Sequence, residues 1–284
     1  MNPTTLSHND MQANTSNIGA TTTESSVVVE ACGGGIVQIR LNRPGRLNAL
    51  GMEMASSLEA AVSEAISSCA RVLLIRGTGR SFCAGADLKE RKIMDDAMRL
   101  KHNRAINAAV DAIAAAPMPT IAVINGLALG GGCEIALACD LRIAADSVSI
   151  GLTEARIGAI PGAGGSQRLP RLIGASRALE LMLLGEPITV QRAEQIGLVN
   201  ATVPAESLDD HVRRVAAVIA ARSPSASRTL KRLVYRGLEC SLADGLAHER
   251  AALQQIFASP DYAEGLAAFA EKRQPQFAQE VLSA

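Results

Sequence analysis

Aromatic residues are scarce in this 284-residue chain: they make up 2% of it, and tryptophan is absent. The core must therefore be built from Ala, Leu, Ile and Val, which are plentiful in a sequence that is 48% apolar. The chain also lacks an excess of charge, since 28 basic residues balance 28 acidic ones. Proteins whose main task is to bind nucleic acid or an anionic membrane usually carry a basic excess, so we expect neither as a partner.

The sequence has neither a long hydrophobic run nor paired cysteines. No stretch approaches the roughly 18 consecutive apolar residues of a transmembrane helix, so no membrane span is predicted. None of the six cysteines lies in a Cys-x-x-Cys pair. This spacing argues against a zinc site and favours small buried thiols in a reducing compartment. We therefore predict a cytoplasmic protein without a metal site.

The first 26 residues are rich in Ser, Thr and Asn and contain neither Lys nor Arg. They lack both the apolar segment of a secretory signal and the arginines of a mitochondrial presequence. Such a composition predicts a disordered tail over residues 1–26.

From Val27 onward the pattern is that of an α/β protein. Alternating apolar residues predict a strand at Ile36–Leu41, and apolar runs predict strands at Val72–Ile75 and Thr120–Ile124. Leu141–Ala144 and Val148–Ile150 are further strand candidates. Helical spacing predicts helices between them, over Met52–Ser67 and Met94–Ala116. Strands separated by helices of this length are typical of parallel βαβ units.

After about residue 166 the strand signals fade, and the remaining segments have helical spacing. The predicted helices of this part are 175–184, 190–197, 206–221, 224–238, 242–257 and 261–273.

Three glycines, Gly130–Gly132, follow the strand at Thr120–Ile124 and lead into an apolar helix that carries Glu134 in its first turn. A buried carboxylate costs several kcal/mol unless it is paired, hydrogen-bonded or protonated, so such a residue is retained mostly where it is used. The alternative is that Glu134 only complements the helix dipole. The free N–H groups at the start of the helix also form a site for developing negative charge.

Two other segments have a similar character. Small residues over Ser81–Lys89 follow a predicted strand and could supply a second backbone donor, although alone they would be an ordinary loop. Glu154 lies twenty positions after Glu134 in a loop of small residues, and the glycine-rich run 162–165 then enters a helix. The alternative for Glu154 is a solvated loop residue.

Together these segments resemble the crotonase family, also called the enoyl-CoA hydratase/isomerase family. The matching stretches are Leu41–Leu50, Phe82–Lys89, Asn125–Glu134, Ile160–Leu169 and Ala268–Arg273. The resemblance covers residues 27 to 278. It implies an α/β fold of repeated ββα units, with an α/β catalytic core over 27–205 and a helical C-terminal trimerisation region over 206–284. It also implies a homotrimer or a dimer of trimers.

The resemblance implies an acyl-CoA thioester as substrate, with no metal and no separate cofactor. The oxyanion hole would consist of the N–H groups of Ala86 and Gly131. CoA would be bound by the backbone at Ala84, by the turn Asp87–Leu88–Lys89, and by Lys272 of a neighbouring subunit. Arg43 and Arg46 are further candidates for the CoA phosphates, with plain surface positions as the alternative.

Hydratases of this family carry a glutamate at both catalytic positions, and this chain has Glu134 and Glu154 there. The implied reaction is addition of water to a short or branched 2-enoyl-CoA, with Glu134 as the base and Glu154 as the proton donor. The alternatives are an isomerase of the same family and, because of a resemblance to the methylglutaconyl-CoA hydratase branch, a homologue that binds AU-rich RNA.

Thr153 and Leu253 depart from residues common in the family, so the resemblance does not specify which acyl chain the protein prefers. Arg91 or Lys92 could meet a distal carboxylate or face solvent.

Overall fold

The computed structural model describes residues 25–278, so the predicted tail lies outside the described residues except for Ser25 and Ser26. In this part of the chain the strands are β1 (Val27–Ala31), β2 (Ile36–Leu41), β3 (Val72–Gly77), β4 (Ser81–Cys83), β5 (Thr120–Ile124), β6 (Leu127–Leu129), β7 (Leu141–Ala145), β8 (Ser149–Gly151), β9 (Ile188–Thr189) and β10 (Ala201–Val203). The helices are α1 (Met52–Ser67), α2 (Leu88–Lys92), α3 (Asp96–Ala115), α4 (Gly131–Ala138), α5 (Gly165–Ile173), α6 (Ala175–Leu184), α7 (Val190–Gln195), α8 (Leu208–Ala220), α9 (Pro224–Gly237), α10 (Leu242–Phe257) and α11 (Pro260–Glu271).

The larger of the two sheets formed by residues 25–278 has the strand order β1-β2-β3-β5-β7-β10. Its strands are parallel except for β1, which is antiparallel to β2. Both faces of this sheet are covered. In β3, Val72 and Leu74 pack with residues of α8, whereas Leu73 and Ile75 join the main core with α1 and α3. Burial on both faces explains why this strand is a continuous apolar run in the sequence.

The smaller sheet has the order β4-β6-β8-β9, with β4, β6 and β8 parallel. Each of three successive units places its first strand (β3, β5 or β7) in the large sheet and its second (β4, β6 or β8) in the small sheet, and a helix follows. This confirms the predicted α/β fold of ββα units. The strands β4, β6 and β8 are only three residues long, too short for a periodic signal, which is why sequence patterns predicted only part of this sheet.

The prediction that helices alone follow residue 166 is wrong at two points. The short strand β9 pairs with β8, and β10 adds a parallel strand beside β7. Both are short, and β10 is only partly buried, so neither has a strong apolar pattern.

Within the helical region expected from residue 206 onward, α8 packs on the large sheet through Leu208, Val212, Ala216 and Ala220. The helices α9 to α11 pack mainly on one another and expose many apolar side chains. No helix of residues 25–278 is both long enough and apolar enough to cross a membrane.

Candidate active site

The three segments singled out in the sequence meet at one edge of the small sheet. The chain leaves β4 into Ala84–Asp87, leaves β6 into Gly130 and α4, and leaves β8 toward Glu154. Because these three strands are parallel neighbours, their carboxyl ends lie side by side. The carboxyl edge of a parallel sheet is where α/β proteins commonly bind ligands.

Glu134 is buried in the first turn of α4, with 3% of its surface exposed. Its Oε1 accepts hydrogen bonds from the N–H of Ala163, at 2.7 Å, and of Gly165, at 2.9 Å. The backbone of the glycine-rich run 162–165 thus binds the carboxyl group of Glu134. The donors come from a segment some thirty residues away in sequence, so no local pattern could have identified them.

Opposing effects act on the ionisation of Glu134. Burial raises its pKa, while the hydrogen bonds from Gly165 and Ala163 and the charges of Arg168 and Arg91 act to lower it. Hydrogen bonds donated to a carboxylate favour the ionised form.

Glu154 begins a 3-10 turn, Glu154–Ile157, and is half-buried. Its Oε1 lies so close to Gly130 that a Cβ at that position would be 3.0 Å away. Its Oε2 is buried and has no hydrogen-bond partner within residues 25–278. The pKa of Glu154 is raised by burial and further by the negative charge of Glu134, so the two carboxyl groups belong to one electrostatic unit.

Ala86 and Gly131 approach each other across the same site. A Cβ built on Gly131 would lie 3.7 Å from the Ala86 nitrogen. Leu50 donates to the Gly85 carbonyl and accepts from the Asp87 N–H, which directs the Ala86 N–H to the opposite side of its strand. The N–H of Gly131 is the first of its helix and has no intrahelical acceptor. Among the described residues neither N–H has an acceptor, so both are available to an oxygen of a ligand.

The turn after Ala86 is fixed by Asp87. This buried residue caps α2 by accepting from the N–H of Lys89 and of Glu90, and its other oxygen lies 3.4 Å from Arg43. Its carboxylate is therefore occupied with protein groups.

The other predicted CoA-binding residues are placed differently. Leu88 and Lys89 are exposed beside the turn, and the Ala84 N–H donates to the Leu47 carbonyl. Lys272 is exposed at the end of α11, a helix that packs mainly on α10. Arg43 is half-buried and donates to the Ala49 carbonyl, whereas Arg46 is exposed.

Sequence patterns missed a buried polar link behind the site. His102 of α3 is fully buried; its Nδ1 accepts from Arg91 Nε at 3.1 Å, and its Nε2 lies 2.8 Å from the Leu50 carbonyl oxygen. Since Nδ1 is the acceptor, Nε2 carries the proton and donates to Leu50. Arg91 is thereby held near both glutamates, and burial lowers its pKa. Of the two sequence candidates, Arg91 is half-buried and Lys92 faces solvent.

The edge thus combines two carboxyl groups of raised pKa with two convergent backbone donors. Such a set can move a proton to or from carbon while stabilising negative charge on a carbonyl oxygen. Among the described residues, no group of three or more His, Cys, Asp or Glu side chains is placed to hold a metal ion.

Comparison with known proteins identifies the family. A sequence profile described as enoyl-CoA hydratase/isomerase matches residues 31–280. The chain belongs to the enoyl-CoA hydratase/isomerase family. It is 45% identical to a Bacillus subtilis protein named as an enoyl-CoA hydratase/isomerase, over 83% of this chain and 91% of that protein. It is 42% identical to the mouse mitochondrial enoyl-CoA hydratase domain-containing protein 2, over 91% and 90% of the two chains.

Among solved structures, an enoyl-CoA hydratase from Bacillus anthracis matches with a TM-score of 0.88 and 40% identity, over 90% of this chain and 100% of that one. Membership in this family agrees with the resemblance carried by the motifs. The cytoplasmic location stays a prediction, since the name of the mouse relative places that protein in mitochondria.

Proposed function

We propose that the protein hydrates a short or branched 2-enoyl-CoA. The observation that carries the proposal is the pair Glu134 and Glu154 beside the two unoccupied N–H groups of Ala86 and Gly131. The thioester carbonyl accepts from these two N–H groups, which stabilise the enolate-like transition state. A donor of this kind contributes about 3–4 kcal/mol to an acyl-transfer transition state.

In this reaction Glu134 takes a proton from water as the water oxygen bonds to the β-carbon. Glu154 gives a proton to the α-carbon, and the carbon–carbon double bond becomes single. The proton gained by Glu134 later replaces the one lost by Glu154, so the enzyme is unchanged after each turnover.

The surroundings of the two carboxyl groups support these roles. Burial raises the pKa of Glu134, but its two N–H donors and the nearby Arg168 and Arg91 act in the opposite direction and favour its ionised form. Glu154 has a buried oxygen without a partner and the negative charge of Glu134 beside it, both of which favour its protonated form. Because the two carboxyl groups interact, their titration belongs to the pair, and the assignment of base and proton donor is part of the proposal.

The CoA part of the substrate would lie along the turn after β4, with its adenine at the Ala84 backbone. Asp87 would serve by capping the turn, and the exposed Leu88 and Lys89 would contact CoA. Lys272 would reach the CoA of a neighbouring subunit in a trimer or a dimer of trimers.

The first experiment is to incubate the purified protein with crotonyl-CoA and follow the loss of the conjugated thioester absorbance. Performed in water labelled with heavy oxygen, the reaction should give a 3-hydroxyacyl-CoA that carries the label. Activity toward 3-enoyl-CoA without any hydration would favour the isomerase alternative. A panel of linear and branched 2-enoyl-CoA substrates, including one with a distal carboxylate, would then define the acyl group.

A further inference from the structure

A single peptide unit stands behind Glu134. The N–H of Ala163, which donates to Glu134 Oε1 at 2.7 Å, belongs to the same peptide as the Gly162 carbonyl. In a trans peptide the N–H and the carbonyl point in opposite directions. Whatever holds the Gly162 oxygen therefore also sets the direction of the Ala163 N–H.

Two asparagines of α3 hold that oxygen. The Nδ2 of Asn107 donates to it at 2.7 Å, and the Nδ2 of Asn103 donates at 3.2 Å. They lie four residues apart, so they share one face of the helix. Asp111, one turn further along, holds Arg168, which in turn donates to the Ala163 carbonyl at 2.9 Å. The polar row on α3, defined as Asn103, Asn107 and Asp111, thus fixes two consecutive peptides of the Glu134-binding segment.

The rest of α3 has a different task. Its apolar side chains Ile106, Ala109, Val110 and Ile113 are buried in the core. A helix that is anchored in this way provides a rigid base for the row. Packing alone, however, does not require amide groups at positions 103 and 107.

We propose that Asn103 and Asn107 are positioning residues, which act through the Gly162–Ala163 peptide to direct its N–H at the Glu134 carboxylate. Donation to the Gly162 oxygen also polarises the peptide and strengthens its N–H as a donor. The proposal rests on the proposed role of Glu134 as the base. Neither asparagine need touch the substrate.

The charged and titratable groups around Glu134 come from several elements. Arg91 comes from α2, Arg168 from α5 and Glu154 from the turn after β8, and the buried thiol of Cys133 is the neighbour of Glu134 in α4. Replacing Asn107 changes none of these charges, so a change in the titration of Glu134 in that variant would come from the altered hydrogen bond. Asn103 is a less selective target, because its Oδ1 also lies 3.5 Å from the Arg91 guanidinium.

The test is the substitution Asn107→Leu, which keeps a similar side-chain volume and removes the donor. Losing about one hydrogen bond should lower kcat about tenfold. The acid limb of the pH–rate profile should move upward by about one pH unit, because a less stabilised carboxylate has a higher pKa. The KM should stay within about twofold of the wild-type value, because the row lies behind the site. Arg104→Ala, at an exposed position of the same helix, is the control and should match wild type.

A second readout does not depend on activity. Infrared titration of protein with labelled glutamate, with the Glu134 signal assigned by its loss in Glu134→Gln, should show the same upward shift in Asn107→Leu. This shift would support the positioning role even if no enoyl-CoA were hydrated, so failure of the proposed function is distinguishable from failure of this inference. A lower kcat with unchanged pH profile and unchanged infrared titration would overturn it, as would wild-type behaviour. If Asn107→Leu does not fold, Asn107→Ala undergoes the same measurements.

Discussion

At the scale of single residues, the site works by giving two identical side chains different surroundings. Glu134 is surrounded by donors and cations, whereas Glu154 has an unpartnered oxygen and a carboxylate as neighbour. In both cases burial is the largest influence and raises the pKa. The proposed catalytic pair is therefore kept at a cost to folding stability, which leads to the first prediction.

Glu134→Gln should lower turnover by about 100-fold or more, the size of a general acid–base contribution. The same variant should be as stable as wild type or more stable at neutral pH. Because folding raises the pKa of Glu134, its carboxyl group stabilises the folded protein most at a pH below about 4.3, its pKa in the unfolded chain. This stabilisation is lost as the pH rises through the pKa of the folded protein. Thermal unfolding of both proteins between pH 4 and pH 8 checks this: the difference in Tm should grow with pH. The prediction would be wrong if the Tm of the variant, measured relative to that of wild type, were lower at pH 8 than at pH 4.

Gly165 provides a second test at this scale, since it donates to Glu134 and leaves no room for a side chain. A Cβ at this position would lie 2.9 Å from Pro161 Cβ and 3.0 Å from Glu134 Oε1. We expect Gly165→Ala to displace the carboxylate and lower kcat about 100-fold, because small shifts of a catalytic group are costly. The control is Gly45→Ala, where a Cβ would meet nothing within 4 Å. Equal activity of the two variants would show that the segment tolerates the shift.

The residues of the site differ in how far the sequence could reveal them. Glu134 and Glu154 could be proposed because a carboxylate among small and apolar residues is unusual. The family resemblance pointed to Ala86 and Gly131. The link from His102 through Arg91 could not be predicted, because it joins α2, α3 and Leu50 through contacts that leave no spacing pattern.

At the scale of elements, the long apolar runs of β3 and β5 and the strong helical patterns were predictable from the sequence alone. The small sheet, which orders the site, was predictable only at β8, because β4, β6 and β8 have three residues each. Their position depends on pairing with one another and on the helices that follow. The strand ends could still be located approximately, because glycine-rich or small-residue segments begin there.

A partly buried polar cluster joins the C-terminal helices to the α/β core. Asp140, two residues after α4, accepts from the Thr120 N–H at 2.7 Å and from the Tyr235 hydroxyl at 2.9 Å, and it pairs with Lys231 at 2.8 Å. Tyr235 and Lys231 are both in α9. This one carboxylate therefore docks α9 onto the start of β5.

We expect Asp140→Asn to lower the free energy of unfolding by about 2 kcal/mol, because the Lys231 ammonium would lose its ion-pair partner and one of the carboxylate's acceptor oxygens would become an N–H group. Urea unfolding followed by circular dichroism measures the change. Asp210→Asn is the matched control: Asp210 also pairs with a basic residue, Arg213, but both side chains are largely exposed. Exposed pairs contribute little. A similar loss in both variants would mean that Asp140 does not anchor α9.

At the scale of the whole molecule, the single chain leaves a large apolar surface uncovered. Leu230, Val234 and Leu238 form a stripe with four-residue spacing along α9, and each is more than half exposed. On α11 the Phe269 side chain is 86% exposed. Apolar surfaces of this extent mark protein–protein contacts, so they support the proposed assembly of several copies. Sedimentation velocity should give a trimer or hexamer.

That assembly is what would give Lys272 its role. The residue is exposed, and α11 packs mainly on α10 rather than on the site edge of its own chain. If Lys272 binds the CoA of a neighbouring subunit, Lys272→Ala should raise the KM for an enoyl-CoA about tenfold, the size of one charge-assisted hydrogen bond, and leave kcat nearly unchanged.

Mixed oligomers show whether Lys272 acts on the CoA of its own chain or on that of a neighbouring chain. Chains with Lys272→Ala keep both glutamates, and chains with Glu134→Gln keep Lys272.

In an oligomer reassembled from these two variants, every active site that contains Glu134 belongs to a Lys272→Ala chain. Such a site regains a low KM only where a Glu134→Gln neighbour supplies its lysine. We therefore expect a fraction of the activity to show the wild-type KM, and that fraction should grow as the proportion of Glu134→Gln chains increases. Reassembly of Lys272→Ala chains with chains that carry both substitutions is the control and should show the raised KM alone. A raised KM at every mixing ratio of the first pair would mean that Lys272 acts on the CoA of its own chain.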